Sequence, residues 1–384
     1  MDFTWPIGHI ELAKKVFDFA SNHLNDGMVE RDSEGIFCRK MWKTCAGFGI
    51  QGLAAPKDNG GNDNVVDITK GVMAMEAFGK GCKDNGLALA LNAQMWTVQV
   101  PLIEFGSSDQ CKKYLTSMVS GDMIGAHALT EPNAGSDVFS MQTTAIKKDN
   151  GYLLNGQKHL ITLAPVADFF LVFAFTNPEM KRWGMSAFLV DKNTPGLYVG
   201  ETQSKMGMRT VPIGRLEFKD CFIPNENRLG SEGAGFSIIT HSLEYDRCCI
   251  LASQLGAMQR QLDTTLAYCK ERNQFGKSIK EFQSVSNRLA DMRLRIETSR
   301  LLLYKVAWLK QQKKPAMMEA AMLKLHLSEN FIASSMDAVR CAGGIGYLSE
   351  YGVERDLRDS IGGVIYAGTS DIQRNIIAQL MESS

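Results

Sequence analysis

The chain has 384 residues, of which 45% are hydrophobic and 22% charged, so it can bury a large core and is longer than one core usually supports. Basic and acidic residues number 42 each, which argues against nucleic acid or an anionic membrane surface as a partner. The nine cysteines lack CxxC or Cys/His spacing, so we expect no metal site and no disulfides, only buried thiols in a reducing cytoplasm.

The predicted elements begin with helices. The first residues, MDFTWPIGHIELAKK, contain no basic segment followed by an apolar one, and no apolar run reaches the roughly 20 residues that cross a bilayer. We therefore expect a soluble, cytoplasmic protein. From about residue 9 to residue 121 the apolar positions recur at helical spacing, which predicts an all-helical domain over residues 1–122.

The pattern of apolar residues then changes twice along the chain. Short β-prone runs such as IGAHAL, GYLLNG, ADFFLVFAFT and SAFLVD, separated by EPNAG, TNPEM, NTPG and FIPNEN, predict a β domain over residues 123–231. Helical periodicity returns over about 235–272, 281–312 and 315–343, which predicts a helical domain over residues 232–384. This order favours an α+β arrangement over a doubly wound sheet.

Three polar or glycine-containing segments could bind a ligand. In LTEPNAGSD, the hydroxyls of Thr130 and Ser136 and the amides around Gly135 suit ring carbonyls or phosphate oxygens, although an ordinary surface turn is equally compatible. The segment CAGGIGY follows a helix, so we reject a dinucleotide fingerprint; its glycines indicate a close backbone approach or a helix C-cap. In ERNQFGKSIKEFQ, a cation, a ring and an amide could clamp an adenine diphosphate, or form a solvated turn.

Taken in order, five segments resemble those of the acyl-CoA dehydrogenase superfamily over nearly the whole chain: LAAPKDNGGND, LTEPNAGSD with NGQKHLIT, ERNQFGKSIKEFQ, GGIGY and YAGTSDIQRNIIA. The resemblance implies an N-terminal helical domain, a middle β domain and a C-terminal four-helix bundle. It also implies a homotetramer, formed as a dimer of dimers, with one FAD per subunit between the β domain and the bundle.

The resemblance further implies four groups of cofactor contacts. The isoalloxazine ring would be faced by Leu129, Thr130, Ile161 and Thr162. The pyrophosphate and the substrate thioester would lie near Gly135 and Ser136. The ADP part of a neighbouring subunit's FAD would be reached by Arg272, Phe275, Gln283 and Gly344, and the ribityl and phosphate groups by Gly368, Thr369 and Asp371. Two positions depart from the family pattern: Arg340 replaces a Gln and could strengthen the pyrophosphate contact, and Leu160 replaces a Trp.

The catalytic base is displaced from the family's commonest position. Relatives use a Glu at the start of an EGTS segment, where this chain has Ala367. Members similar to isovaleryl-CoA dehydrogenase place the base on a long helix instead, and HSLEYDRC offers Glu244 and Asp246 there. Residues two apart on a helix point in roughly opposite directions, so only one should face the flavin. Side-chain reach narrowly favours Glu244, whereas alignment to Arg247, a predicted substrate contact, favours Asp246.

Both carboxylates could also be plain helix-surface charges, which would leave a non-catalytic flavoprotein. The loop KMGMRTVPIG keeps Arg209 and Thr210 but loses the rest of the pattern with which relatives meet the CoA nucleotide. A thioester on a carrier protein would need no such contact. AFGKGCKDNGL, LEYDRC and IGGVIYAGTSDIQ resemble the branch that oxidises prolyl groups on peptidyl carrier proteins. A short or branched acyl-CoA is the alternative substrate, and an electron-transfer flavoprotein or oxygen is the expected acceptor.

Overall fold

The computed structural model describes residues 4–382, and its elements run as helices, then strands, then helices. The N-terminal helices are α1 (Ile7–His23), α2 (Met28–Glu34), α3 (Arg39–Phe48), α4 (Ile68–Gly81), α5 (Asn85–Gln94), α6 (Val100–Phe105), α7 (Ser108–Gln110) and α8 (Thr116–Val119). Two π-helical segments, Met95–Gln99 and Cys111–Leu115, join α5 to α6 and α7 to α8. The predicted helical N-terminal region is confirmed; residues 1–3 and 383–384 of the predicted outer domains lie outside the described residues.

The middle region forms one eight-stranded sheet, as the β-prone runs predicted. Its strands are β1 (Gly125–Ala128), β2 (Thr144–Lys148), β3 (Gly151–Thr162), β4 (Phe169–Phe175), β5 (Met185–Asp191), β6 (Leu197–Val199), β7 (Ile213–Pro224) and β8 (Arg228–Leu229). Seven of them follow the order β6-β7-β3-β2-β4-β5-β8, and β1 pairs in parallel with β4.

The central strand β4 is buried on both faces. Phe170 and Val172 enter the larger of two hydrophobic cores, and Phe169 and Leu171 enter the second. Side chains alternate between the faces of a strand, so a strand covered on both sides is apolar throughout. This explains the uninterrupted run ADFFLVFAFT, which a strand with one solvated face would not show.

The first four C-terminal helices match the three predicted stretches closely, and the last two lie beyond those stretches. The C-terminal helices are α9 (Gly235–Cys249), α10 (Leu251–Glu271), α11 (Gln283–Gln311), α12 (Met317–Ala342), α13 (Val353–Gly363) and α14 (Ser370–Glu382). A small hairpin of β9 (Asn273–Gln274) and β10 (Lys277–Ser278) separates α10 from α11 and was not predicted. Ile250 keeps helical dihedral angles, so α9 and α10 form one long rod.

All nine cysteines are free thiols, and seven of them are buried. Across residues 4–382, none of the helices combines the length and the apolar character that a membrane span requires.

The N-terminal and C-terminal helices meet at a close crossing of α4 and α10. A Cβ at Gly79 would lie 1.9 Å from the carbonyl oxygen of Ser253, and a Cβ at Gly256 would lie 1.9 Å from that of Glu76. These distances are far below van der Waals contact, so only glycine lets the two backbones approach this closely.

A buried polar network joins the same two regions to the β domain. Asp84 caps α5, forms an ion pair with Arg31 and accepts a hydrogen bond from the Thr210 hydroxyl at 2.5 Å. Asp359 on α13 accepts hydrogen bonds from the Met208 amide and from the Asn85 side chain. Burial raises the pKa of the Asp359 carboxyl to about 7. The loop between β6 and β7 is thereby held against both helical regions.

The Gly256→Ala variant is expected to lower the free energy of unfolding by about 1–3 kcal/mol or more, because an inserted methyl overpacks the crossing. Gly47→Ala in α3 is the matched control, since a Cβ there meets no atom within 4 Å and should be neutral or slightly stabilising. Denaturant unfolding measures both; equal stability of the two variants would contradict the close crossing.

Candidate active site

The turn at residues 129–137 is pinned to β3 by a buried ion pair. Glu131 accepts a hydrogen bond from the Lys158 ammonium at 2.8 Å, and Lys158 also donates to the Leu129 carbonyl at 3.0 Å. Burial lowers the pKa of Lys158 to about 8 despite the opposing effect of Glu131. Burial alone would raise the pKa of Glu131, but Lys158 and two backbone amides outweigh it, so this pKa falls below its ordinary value. The turn is therefore a rigid part of the sheet.

The residues predicted to face the flavin ring come together at one end of β3. The Thr130 carbonyl accepts a hydrogen bond from the His159 amide at 2.8 Å, which places Thr130 beside Ile161 and Thr162. The strand register is irregular between Lys158 and Ile161, and Leu160 has φ of 57° with its side chain about half exposed. An exposed apolar side chain next to a distorted strand end leaves room for a flat ring to stack.

Gly135 and Ser136 are exposed on the same turn. A Cβ at Gly135 would meet no atom within 4 Å, so open space lies beside this backbone. Their predicted contacts with a pyrophosphate and a thioester therefore stay predictions.

The segment that carries the base in relatives is held from two sides. Ala367 and Gly368 both have positive φ, 57° and 86°. The Ala367 carbonyl accepts hydrogen bonds from the Arg247 guanidinium at 3.4 Å and from the Gln373 amide at 3.1 Å. Arg247 is buried, so its visible role is to position this segment; its predicted substrate contact is untested.

The predicted phosphate contacts lie at the start of α14. The Thr369 hydroxyl accepts a hydrogen bond from the Ile372 amide and caps the helix, whereas Asp371 pairs with Arg374 at the surface. The Ser370 hydroxyl is buried and has no hydrogen-bond partner within residues 4–382. An unpaired buried hydroxyl at a helix N-terminus suits an acceptor oxygen of a bound anion.

The rotation of α9 is set by stacking. The Tyr245 ring lies parallel to the Trp96 ring of the N-terminal region, with centroids 6.2 Å apart and 3° between the planes. On one side of Tyr245, Glu244 accepts a hydrogen bond from Lys310 of α11 at 2.5 Å. On the other, Asp246 lies close enough to Tyr366 to raise the pKa of that phenol. The two carboxylates therefore have different neighbours, and which of them faces the flavin stays a prediction.

Asp246 lies in a desolvated, cationic environment. Burial raises the pKa of its carboxyl to about 6, against the opposing effects of Arg247 and Lys324. Protein surrounds the side chain, yet the residue keeps some accessible surface. Within the described residues its carboxylate makes no hydrogen bond or ion pair.

Glu244 has the opposite character. It and Lys310 are only 17% and 10% exposed, and the Lys310 ammonium also lies 4.5 Å from the centre of the Tyr245 ring. The carboxylate is thus neutralised and held by a structural ion pair.

The remaining predicted cofactor contacts form a distal cluster: Arg272, Phe275, Gln283, Arg340 and Gly344. The ends of α10 and α12 meet here, where the Tyr268 hydroxyl donates to the Ala342 carbonyl at 3.4 Å. Arg272 lies 26 residues beyond Asp246 on the α9–α10 rod, which corresponds to about 39 Å. Phe275, at the hairpin tip, is 93% exposed. The fold therefore separates this cluster from the candidate flavin site around Thr130 and Ala367 in the same chain, as the implied contact with a neighbouring subunit requires.

Two buried lysines were missed by the sequence reasoning. Lys158 is fully buried in β3, and Lys324 is fully buried in α12 with no hydrogen-bond partner for its ammonium among the described residues. Lys324 shares the apolar stripe of Ala320 and Leu327, so a lysine on the core-facing side of a predicted helix was the available signal.

Three family models match nearly all of the chain. They are the N-terminal, middle and C-terminal domains of acyl-CoA dehydrogenase, matched at residues 8–122, 126–221 and 233–381.

Individual relatives match over almost their full length. The chain is 41% identical over 379 residues to an L-prolyl-[peptidyl-carrier protein] dehydrogenase of Serratia sp. (strain ATCC 39006), covering 99% of this chain and 98% of the relative. It is 38% identical to a short-chain specific acyl-CoA dehydrogenase of Megasphaera elsdenii, covering 97% of both. A solved structure described as PigA with FAD and proline superimposes with a TM-score of 0.97, at 41% identity, covering 100% of this chain and 99% of that one. With helices, sheet and candidate site arranged as described, this chain belongs to the acyl-CoA dehydrogenase family.

Proposed function

We propose that this protein is an FAD-dependent dehydrogenase that oxidises the Cα–Cβ bond of a prolyl group carried as a thioester on a peptidyl carrier protein. The observation that carries the chemistry is the vacated base position at Ala367 with a desolvated, unpaired carboxylate, Asp246, beside the same segment. The prolyl substrate is supported by the Serratia relative and by the structure that holds FAD and proline.

The candidate site around Thr130 and Ala367 fits a flavin. Exposed Leu160, the backbone at Thr130 and Thr162, the open space at Gly135 and the unpaired Ser370 hydroxyl offer a stacking face, hydrogen-bonding groups and an anion site. When bound, FAD would supply the acceptor for the β hydride. The residues that would hold its ring and phosphates are Leu129, Thr130, Gly135, Ser136, Ile161, Thr162, Gly368, Thr369 and Asp371.

We propose Asp246 as the general base. A base must be deprotonated at working pH, within reach of the substrate and not neutralised by a partner, and a pKa of about 6 meets the first condition. Arg247 and Lys324 would keep this pKa from rising further, because nearby cations stabilise the carboxylate. Arg247 would hold the backbone at Ala367 in place. Glu244, which side-chain reach favoured, is already paired with Lys310 and remains the competing candidate.

The loop KMGMRTVPIG at residues 205–214 supports a substrate carried on a carrier protein over one carried on CoA. The Thr210 hydroxyl donates to buried Asp84 and is therefore not available to a nucleotide, while Nε of Arg209 donates to the Lys205 carbonyl. A carrier-borne thioester needs no nucleotide contact at this loop.

A homotetramer is supported by exposed apolar side chains on the C-terminal helices. Leu294, Leu301 and Trp308 recur every seven residues on α11 and are each more than half exposed. Apolar residues repeated every seven positions are typical of a helix face that packs against another helix. Together with exposed Phe275 in the distal cluster, it supports a contact through which one subunit completes another's cofactor site. The acceptor, an electron-transfer flavoprotein or oxygen, stays a prediction.

The substrate assignment is tested by anaerobic mixing of the holoenzyme with prolyl-loaded carrier protein and with butyryl-CoA and isovaleryl-CoA, followed at the flavin absorbance. We expect bleaching by the carrier thioester only. Bleaching by an acyl-CoA alone would make the chain a short or branched-chain acyl-CoA dehydrogenase, and bleaching by neither would favour a non-catalytic flavoprotein.

The base is tested by Asp246→Asn and Glu244→Gln, each with FAD content verified. Asp246→Asn should slow bleaching about 10²- to 10⁴-fold, the usual contribution of a general base, while Glu244→Gln stays within about threefold of wild type. The reverse pattern would identify Glu244 as the base. Equal, mild effects would reject a base on α9.

The pH profile gives an independent test. The Asp246 carboxylate is active above its pKa, so kcat/KM should fall with a midpoint near pH 6 as the pH is lowered. Lys324→Met should move that midpoint to higher pH, because it removes a cation that lowers the pKa of Asp246. Lys310→Met is the matched control, since Lys310 faces Glu244; a shift in that variant instead would contradict the assignment.

A further inference from the structure

An exposed aromatic and cationic cluster lies beside the sheet, where the loop between β4 and β5 meets the start of α9 and the turn at residues 138–140. We call it the Trp183 patch and define it by Phe139, Arg182, Trp183 and Phe236. The Trp183 and Phe236 rings meet edge to face at 5.3 Å, and the Phe139 and Phe236 rings lie 5.7 Å apart. The Arg182 guanidinium lies 5.1 Å and 5.4 Å from the centres of the Trp183 and Phe236 rings.

The patch has the composition of a protein-binding surface. Phe139 is 49% and Trp183 51% exposed, although burying each ring would be favourable. Tryptophan and arginine at the centre of an apolar surface patch are the residues that most often dominate binding between proteins.

The patch also carries cations without counterions. Within residues 4–382, neither Lys181 nor Arg182 forms an ion pair, and Glu179 is the acidic neighbour in the same loop. Lys181 has φ of 51° and ψ of −133°, a conformation that costs a non-glycine residue energy and is retained where surrounding structure requires it. The loop therefore presents two adjacent cations next to a half-exposed indole, which suits a partner face with carboxylates around an apolar side chain.

The patch adjoins the elements that carry the candidate site. Phe139 follows Ser136, the predicted thioester contact, by three residues. Phe236 is the second residue of α9 and precedes Asp246 by ten residues, about 15 Å along the helix. A Cβ at Gly235 would lie 2.7 Å from the Met185 backbone, so the start of α9 is packed against the start of β5. A partner on this surface would be close to the site without entering it.

We propose that the Trp183 patch is the docking surface for the thioester-bearing carrier protein, which would present an acidic face here and reach the site with its pantetheine arm. This inference rests on the proposed function. The 15 Å offset calls for a partner that acts through a long flexible arm, and the unpaired cations call for an acidic one.

The test compares two thioesters of the same prolyl group: the prolyl-loaded carrier protein that serves the Serratia relative, and free prolyl-pantetheine. We expect the wild-type holoenzyme to have the higher kcat/KM with the carrier. Arg182→Glu and Trp183→Ala should lower that kcat/KM about tenfold or more, mainly through KM, and leave the value for prolyl-pantetheine unchanged. Tyr198→Ala is the matched control, because Tyr198 is also an exposed β-domain ring, 58% exposed, with the Lys219 ammonium 6.0 Å from its centre.

Several results would overturn the docking surface. One is an equal loss of kcat/KM with both thioesters in the patch variants, or the same loss in Tyr198→Ala. Another is a wild-type enzyme with no preference for the carrier. A change of oligomeric state in either patch variant, or a defect confined to reoxidation by an electron-transfer flavoprotein, would also overturn it. A wild-type enzyme reduced by neither prolyl thioester would instead reject the proposed function, and the docking surface with it.

Discussion

The candidate site depends on the rotational setting of α9. Tyr245 stacks on Trp96 and thereby attaches the helix to the N-terminal region, while its neighbours in sequence turn towards different helices. Successive residues on a helix are separated by about 100°, so fixing one side chain fixes the direction of the next ones. Glu244 is directed to Lys310, and Asp246 to the interior beside Tyr366. A rotation of α9 by half a turn would exchange their environments and, with them, their chemistry.

Two buried lysines show how the same desolvation serves different ends. Lys158 donates hydrogen bonds to Glu131 and to the Leu129 carbonyl, so the charge is compensated locally and the turn is fixed. Lys324 is equally inaccessible, yet its ammonium has no hydrogen-bond partner among residues 4–382, and burial lowers its pKa to about 8. A cation without a hydrogen-bonded partner still acts at longer range, and Lys324 lowers the pKa of the Asp246 carboxyl. The first lysine stabilises the scaffold, and the second, together with Arg247, lowers the pKa of Asp246 against the effect of burial.

Two groups of exposed apolar side chains have different neighbours. The α11 stripe and Phe275 lie on the C-terminal helices, which supports contacts between subunits. The Trp183 patch lies where a β-domain loop meets the start of α9, beside the candidate site and together with unpaired cations. A persistent subunit interface tends to be apolar, whereas a surface for a transient charged partner combines aromatic anchors with cations that speed the encounter.

The sequence by itself determined the order of the regions, the approximate span of each long helix, the free thiols and the family. These depend on local periodicity, turn residues and short motifs, which a linear pattern contains. It also narrowed the base to Glu244 and Asp246 and showed that they diverge, because helix geometry is local. Only the tertiary structure decided which carboxylate is paired and which is desolvated, since Lys310, Lys324 and Tyr366 come from distant parts of the chain. The tertiary structure also determined the hairpin at Phe275 and the contact of Phe139 and Trp183 with Phe236. The reason is that burial and charge pairing depend on neighbours in space.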